Sequence, residues 1–449
     1  MINEKLGARK WTILVLFGLI GQIAWTIENM YLNLYIYKTV TYEPKAIAWM
    51  VALSAVTATV ATITMGALSD KLGKRKVFMS AGYILWGLSI IAFAFITRDN
   101  VAILFPHANE VILTVALIIL LDCLMTFIGS TANDATFFAW INDVTNTKNR
   151  GRAEGLLATM PLIGMLVVFG ALDGFTQSGN WLGFFLIVGI TVVIAGIVGV
   201  FLIKDESTPK KESKYFKDLI YGFVPKNIKR NWLLYVVFSA VMLLGIAQQV
   251  FLPYFIIYFE YYVGITDYAL ILGAILILAS VISFIGGRLV DKYGKKAFLI
   301  PATIFYILGM LSLFFFGLFV KNDLVLVTIL TVIGGTVMMG AYLVSLVPLN
   351  ALARDIMPPD RAGTFSGVRM VFFVLIPMVI GPFIGSTIIE NSGNTYLDSF
   401  GATQYVPTPH IYLAGAIVAL LTFIPLVIIL KTDLKKYSEV QHETNKNNN

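Results

Sequence analysis

The chain has 449 residues, of which 58% are hydrophobic and only 13% charged, with a formal net charge of +7. Soluble domains hold about 45–50% apolar and ~25% charged residues, so a soluble core of this length is excluded for want of polar surface, and the aromatic content excludes a disordered chain. The apolar runs are long and continuous instead of alternating over about ten residues, which argues against an outer-membrane barrel and leaves an all-α polytopic membrane protein with room for about twelve spans of ~20 residues.

The N-terminus carries Lys5, Arg9 and Lys10, and the apolar segment that follows is too long for the core of a cleaved signal peptide. It reads as the first helix. Runs bounded by charges or Gly/Pro/Asn clusters predict helices at 11–37, 46–69, 77–97, 110–139, 153–172, 181–203, 232–259, 268–289, 297–319, 324–349, 364–388 and 410–430. With the N-terminus inside, the inner segments hold 28 Lys and Arg, while the outer loops hold Lys38, Lys45, Arg98 and Lys321. That asymmetry follows the positive-inside rule and puts both termini in the cytoplasm. The chain then divides into an N-terminal six-helix half (1–203), a cytoplasmic linker (204–231), a C-terminal six-helix half (232–430) and a cytoplasmic tail (431–449). The linker reads either as an amphipathic helix on an anionic leaflet or as a solvated connection. Cys123 is the single cysteine, so no intrachain disulfide forms, and His107, His410 and His442 are scattered without metal-ligand spacing. No cofactor, metal or nucleic-acid partner is expected.

Charged side chains inside spans are few, and each needs a reason, because insertion at the bilayer centre costs about 2.5–3.5 kcal/mol. In the first helix Gln22, Thr26, Asn29 and Asn33 follow i, i+4, i+7, i+11 and share one face. Glu28 borders that face, with Trp25 and Tyr31 three residues to either side. The fourth helix repeats the spacing at Asp122, Thr126, Gly129 and Asn133, with Ser130 and Asp134 alongside. Ser, Thr and Asn also serve as interhelical glue, whereas glue needs no carboxylate. Glu28 and Asp122 are therefore candidate cation-coupling residues, and Asp134, nearer the inner end, is a weaker one with Arg150 or Arg152 as an ion-pair partner. The candidate solute contacts are Gln22, Trp25, Asn29, Tyr31, Asn33 and Asn133 in the N-half, and Gln248, Gln249, Tyr254 and Tyr342 in the C-half. The C-half carries neutral hydrogen-bonding and aromatic groups, Tyr258 among them. The asymmetry suits a cation in one half and a neutral polar solute held by both.

The halves repeat each other. Gly66-Ala-Leu-Ser-Asp70-Lys71-Leu-Gly73-Lys74-Arg75 matches Gly287-Arg-Leu-Val-Asp291-Lys292-Tyr-Gly294-Lys295-Lys296 at a constant offset, which also superposes Trp11 on Trp232 and Phe17 on Phe238. Asp143 with Arg150 pairs more loosely with Asp355 and Arg361. Gly73 and Gly294 permit tight turns, Gly66 and Gly287 are expected to admit a neighbouring helix, and Asp70 and Arg75 are expected to pair. A lock between the halves at the inner face follows as the gating expectation for these residues. For Arg369 the expectation is an inner-end ion pair with an acid such as Asp70.

Twelve helices, two repeats and this loop after the second helix resemble the major facilitator superfamily. "GQIAWTIENMYLNLY" and "DCLMTFIGSTANDATFFAWINDVTNTKNRGRAEG" resemble its sugar:cation symporters, both the glycoside–pentoside–hexuronide carriers and the sucrose-carrier-like group. The resemblance implies a monomer in the cell membrane that moves a sugar or glycoside by alternating access, coupled to H⁺ or Na⁺. Melibiose-type carriers hold their cation with carboxylates on the second helix, and 46–69 has none, which favours H⁺. An exporter of amphiphilic compounds is the alternative within transport. An intramembrane enzyme or a receptor is the alternative outside it, although no H-E-x-x-H, G-x-S-x-G or P-loop motif is present.

Overall fold

The computed structural model describes residues 6–41, 43–145, 149–204, 222–320, 322–358, 362–397 and 403–433. Among them are twelve helices long and apolar enough to cross a membrane. They are α1 (Ala8–Thr39), α2 (Pro44–Leu72), α3 (Arg75–Phe93), α4 (Glu110–Val144), α5 (Gly155–Gln177), α6 (Trp181–Leu202), α7 (Trp232–Val263), α8 (Tyr268–Tyr293), α9 (Lys295–Phe319), α10 (Leu324–Ile356), α11 (Gly367–Asn391) and α12 (His410–Lys431). A short antiparallel pair, β1 (Thr395–Leu397) and β2 (Thr403–Tyr405), lies between α11 and α12, with Thr395 opposite Tyr405. Large apolar side chains such as Leu124, Ile194, Phe284 and Ile333 stay exposed; such surface is at home against lipid.

The helix ends follow local chemistry. α2 starts with Pro44 in its first turn and stops at Gly73, whose φ of 64° is left-handed. Gly294 has φ 92° at the equivalent turn between α8 and α9. Side-chain oxygens of Asn109, Asn180 and Asp323 accept the amides of Ile112, Gly183 and Leu326 and cap α4, α6 and α10. Among the described residues, five helices carry a wide π turn: Ile27–Tyr31 in α1, Ser130–Phe137 in α4, Val168–Leu172 in α5, Tyr258–Val263 in α7 and Val371–Leu375 in α11. Such turns concentrate at functional sites.

Contacts divide the chain into two units. The first comprises Met1–Lys214, Leu252–Gly273 and Ile389–Pro407, and the second Tyr215–Phe251, Ala274–Ile388 and Thr408–Asn449. The boundary within α7 falls at a 3₁₀ turn, Leu252–Tyr254, where Pro253 offers no amide hydrogen.

In the first unit α3 and α6 approach through small residues: a methyl added at Gly196 would lie 2.7 Å from the Ile84 amide nitrogen and 2.8 Å from the Ser80 carbonyl oxygen. At the end away from the repeated loops, this unit joins its N-terminal helices to its two later segments. Tyr37 donates to the Tyr405 carbonyl at 2.7 Å and Tyr254 to the Pro44 carbonyl at 3.1 Å. Lys38 pairs with Glu260 at 2.6 Å and Lys45 with Glu390 at 2.7 Å. In the second unit α9 packs on α10 where Gly309 meets Met338, and Lys296 donates to the Leu430 and Thr432 carbonyls at 3.1 and 2.6 Å.

Candidate functional site

The π turn of α1 closes with the Leu32 amide donating to the Ile27 carbonyl, five residues back. It sets Glu28, 7% exposed, against α2 and α4. Ser54 of α2 and Thr126 of α4 both donate to Glu28 Oε1, at 2.7 and 2.8 Å. Asp122, 1% exposed, lies four residues before Thr126 on α4, within electrostatic reach of Glu28. Glu28 Oε2 and Asp122 Oδ1 are buried and accept no hydrogen bond, and among the described residues neither carboxyl forms an ion pair. Two buried carboxyls without a cationic partner are expensive to hold ionised together. The arrangement is chemically suited to taking up a proton or a small cation.

Asp134 lies in the π turn of α4, where Ser130 donates to its Oδ2 at 3.0 Å. Its partner is therefore a neighbour on its own helix; the side chain of Arg150, one of its expected partners, lies outside the described residues. Asn133 is 1% exposed and joins three helices: its Nδ2 donates to the Tyr83 hydroxyl at 2.6 Å, and its Oδ1 accepts Trp25 Nε1 at 3.4 Å. Tyr83 in turn donates to the Phe17 carbonyl at 2.7 Å, and Gly21 leaves the room that Asn133 fills.

The polar stripe expected along α1 changes at the π turn. Gln22, Trp25 and Asn29 are partly exposed, whereas Thr26 and Asn33 are buried. Asn29 Nδ2 donates to the Trp25 carbonyl at 2.8 Å and Asn33 Nδ2 to the Asn29 carbonyl at 2.9 Å, so both amides fold back on their own helix. The stripe assumed 3.6 residues per turn throughout, and the wide turn breaks that register for Asn33, whereas Thr26 is buried in the regular α-helix ahead of the turn. Tyr31 is fully buried against Phe184, with its hydroxyl on Asp173. In α7 Gln248 and Gln249 are partly exposed, Tyr254 is buried, and Tyr258 stacks on Tyr262 at 5.4 Å. Tyr342 of α10 is partly exposed, 5.4 Å from Tyr306. Of the expected solute contacts, Tyr31, Asn33, Asn133 and Tyr254 are thus committed to the protein interior, and Gln22, Trp25, Asn29, Gln248, Gln249 and Tyr342 keep exposed surface.

The repeated loops close within their own units. Arg75, 8% exposed, donates to Asp70 Oδ1 at 2.5 Å, Asp143 Oδ2 at 3.0 Å and Ser69 Oγ at 2.5 Å, which ties α2, α3 and α4 together. All these partners belong to the first unit, so the expected lock between halves is, as seen here, a lock within one. Asp70 is held by Arg75 and not by Arg369, which donates to Asn350 at 3.4 Å and lies 4.7 Å over the Phe373 ring. In the second unit Asp291 is exposed, and Lys295 pairs with Asp355. Gly66 is partly exposed. A methyl at Gly287 would meet nothing within 4 Å, which corrects the expectation of a close helix there; Gly286, packed on Val344, takes that role. Arg361 and 205–221, most of the linker, lie outside the described residues.

Two acids escaped the sequence reading. Asp173 is buried on α5, which runs to Gln177 and not to 172, and Glu260 belongs to α7, which runs to Val263 and not to 259. Both sit where composition turns polar, so they read as loop residues. Ser54 escaped as well, being one of several hydroxyls in the run 46–69, with Thr57, Thr59, Thr62 and Thr64 beside it.

The family model described as Major Facilitator Superfamily matches residues 14–382. No curated protein matches. Among solved structures, the nucleoside transporter NupG, as a point variant, is similar at a TM-score of 0.70 and 13% identity, over 94% of this chain and 99% of that one. The xylose transporter XylE from E. coli is similar at 0.65 and 16%, over 94% and 97%. A bacterial homolog of the human lysosomal transporter Spinster is similar at 0.63 and 16%, over 98% of each chain.

Proposed function

The chain belongs to the Major Facilitator Superfamily, and on that premise we propose that it is a proton-coupled symporter of a sugar or glycoside with Glu28 and Asp122 as the coupling acids. It is a multi-pass membrane transporter of a small molecule, a secondary transporter and not an enzyme. The observation that carries the coupling proposal is the Glu28 pocket, where two helices donate to a single carboxylate oxygen while Glu28 Oε2 and Asp122 Oδ1 stay open. A proton taken up there removes a charge that burial makes costly, and that change supplies the differential interaction an alternating cycle needs.

Gln22, Trp25 and Asn29, together with Gln248, Gln249 and Tyr342, are the proposed solute contacts; amides and aromatic faces match the hydroxyl edges and apolar faces of a sugar. The solutes named for two structural neighbours, xylose and nucleosides, are sugar-bearing, which supports this class. The Lys/Arg asymmetry supports an orientation with the repeated loops and both termini in the cytoplasm, and a monomer in the cell membrane is what the resemblance to the sugar:cation symporters implies. The test is reconstitution into proteoliposomes holding a pH-sensitive dye, challenged with labelled pentoses, hexoses, glycosides and nucleosides. Solute-dependent proton entry that disappears in Glu28→Gln supports the reading; uptake with no proton movement for any solute overturns it.

A further inference from the structure

Asp173 is a carboxylate, 7% exposed, near the end of α5, and no Lys or Arg among the described residues pairs with it. Its charge is met by hydroxyls. Tyr31 of α1 and Tyr268, the first residue of α8, donate to the same oxygen, Oδ1, at 2.9 and 2.8 Å. Thr176 adds a longer contact to that oxygen at 3.3 Å. Gln177 donates to Asp173 Oδ2 at 3.4 Å and to the Thr266 carbonyl at 3.3 Å, so it also reaches the segment before α8. Both tyrosine rings are fully buried. Hydrogen bonds to an ionised acceptor are shorter and about twice as strong as neutral ones, and Asp173 uses them to gather three helices.

The placement of Tyr31 gives this cluster its meaning. The π turn Ile27–Tyr31 is anchored at both ends. Glu28 is held by Ser54 and Thr126, and Tyr31 by Asp173. An isolated π turn is poorer than α-helix and persists where side chains hold it. Loss of charge on Glu28 weakens the first anchor, since the bonds from Ser54 and Thr126 are then no longer charge-assisted. Relaxation of the turn toward regular α geometry rotates Tyr31 relative to Glu28 and draws its hydroxyl off Asp173. The titratable groups around Glu28 are Asp122, Cys123 and Asp134 of α4, and those around Asp173 are Tyr31 and Tyr268, with Glu260 close to the latter.

We propose that Asp173, with Tyr31 and Tyr268, is an outer-side latch and that the π turn of α1 links the state of this latch to the charge on Glu28. Asp173 is a positioning residue in this scheme: it touches neither solute nor coupling ion and acts through the turn. The inference rests on the reading of Glu28 as the coupling acid and of the repeated loops as cytoplasmic.

The experiment is amide hydrogen exchange on the full-length protein in lipid nanodiscs, with no solute added. Wild type, Tyr268→Phe, Glu28→Gln and the double variant are compared over residues 258–268. Tyr268→Phe should raise exchange there about tenfold or more, as expected for loss of a buried bond to a charged acceptor. Glu28→Gln, which removes none of the bonds made to Asp173, should also raise it, and the double variant should show less than the product of the two effects. A Glu28→Gln effect on 258–268 is a readout that a merely structural Asp173 would not move. Unchanged exchange in Tyr268→Phe overturns the latch, and multiplicative effects or a silent Glu28→Gln overturn the link. If Tyr268→Phe does not fold, Tyr31→Phe and Asp173→Asn test the same bonds from the other side. Uphill transport measured in parallel reports on Glu28 as coupling acid, so failure of that reading and failure of the latch are told apart.

Discussion

Ser54 and Thr126 lie 3.4 Å apart, oxygen to oxygen, because each points its hydroxyl at the same oxygen of Glu28. They come from α2 and α4, so one carboxylate of α1 holds three helices in register. The proposed coupling group is thereby also a packing group, and its variants must be read with stability measured alongside transport.

Glu28→Gln and Asp122→Asn each replace a carboxyl by its neutral isostere. Counterflow of solute across proteoliposomes should survive in either variant, while accumulation driven by an imposed pH gradient should fall to equilibration. If both variants still concentrate solute with the wild-type dependence on pH, the coupling ion travels by another route.

Asn133 and Gln22 separate two roles that the expected set of solute contacts had merged. Asn133→Ala removes the donor to the buried Tyr83 hydroxyl, which keeps its bond to the Phe17 carbonyl, and the acceptor of the Trp25 indole, at a cost of about 1–3 kcal/mol. A lower melting temperature in detergent with little change in KM is the expected signature. Gln22→Ala, at a partly exposed position, should do the reverse and raise KM about tenfold. Equal effects of the two substitutions on KM would remove this distinction.

Arg75 meets Asp70 and Asp143 through different nitrogens of its guanidinium. A lysine carries one compact ammonium and cannot reproduce that fork. Arg75→Lys and Arg75→Ala should therefore lower thermal stability by similar amounts, about 1–2 kcal/mol once the partial exposure of both acids is allowed for. Full rescue by lysine would reduce the cluster to a simple charge effect. Asp70→Asn is expected to loosen the same corner of the first unit and to raise labelling of cysteines placed in the loop between α2 and α3.

Two glycines in the second unit should behave in opposite ways. A methyl at Gly309 would lie 2.5 Å from the Met338 amide nitrogen, a backbone atom that cannot step aside, whereas one at Gly287 meets open space. Gly309→Ala should reduce folded yield sharply. Gly287→Ala should be neutral or stabilising by up to about 1 kcal/mol, the usual gain of alanine over glycine inside a helix. Fluorescence-detected size exclusion of tagged variants reads both, and a poorly folded Gly287→Ala would restore that glycine as a packing position.

The helices were legible because each span must satisfy its own backbone in lipid, and that forces apolar runs long enough to read by eye. The burial of Glu28 and Asp122 was legible for a related reason: a charge in such a run stands out. Ser54 was not, since hydroxyls are ordinary in spans. Asn33 was misplaced because nothing in the composition marks a π turn, and one such turn is enough to carry a polar stripe off its face. Asp173 and Glu260 were missed because helix ends are where membrane chains become polar, so an acid there looks like loop.

The first unit is not contiguous in the chain, and this bears on how it is made. Lys38 waits for Glu260, Asp173 for Tyr268, and Tyr37 for the carbonyl of Tyr405. A ribosome that has released only the first 214 residues has delivered six helices whose far ends still lack these partners. That unit reaches its full set of contacts only after residue 405 has emerged, nearly at the end of synthesis, so its early helices spend most of translation in the membrane with polar groups unmet. Quality control acting on the nascent chain would meet those groups first.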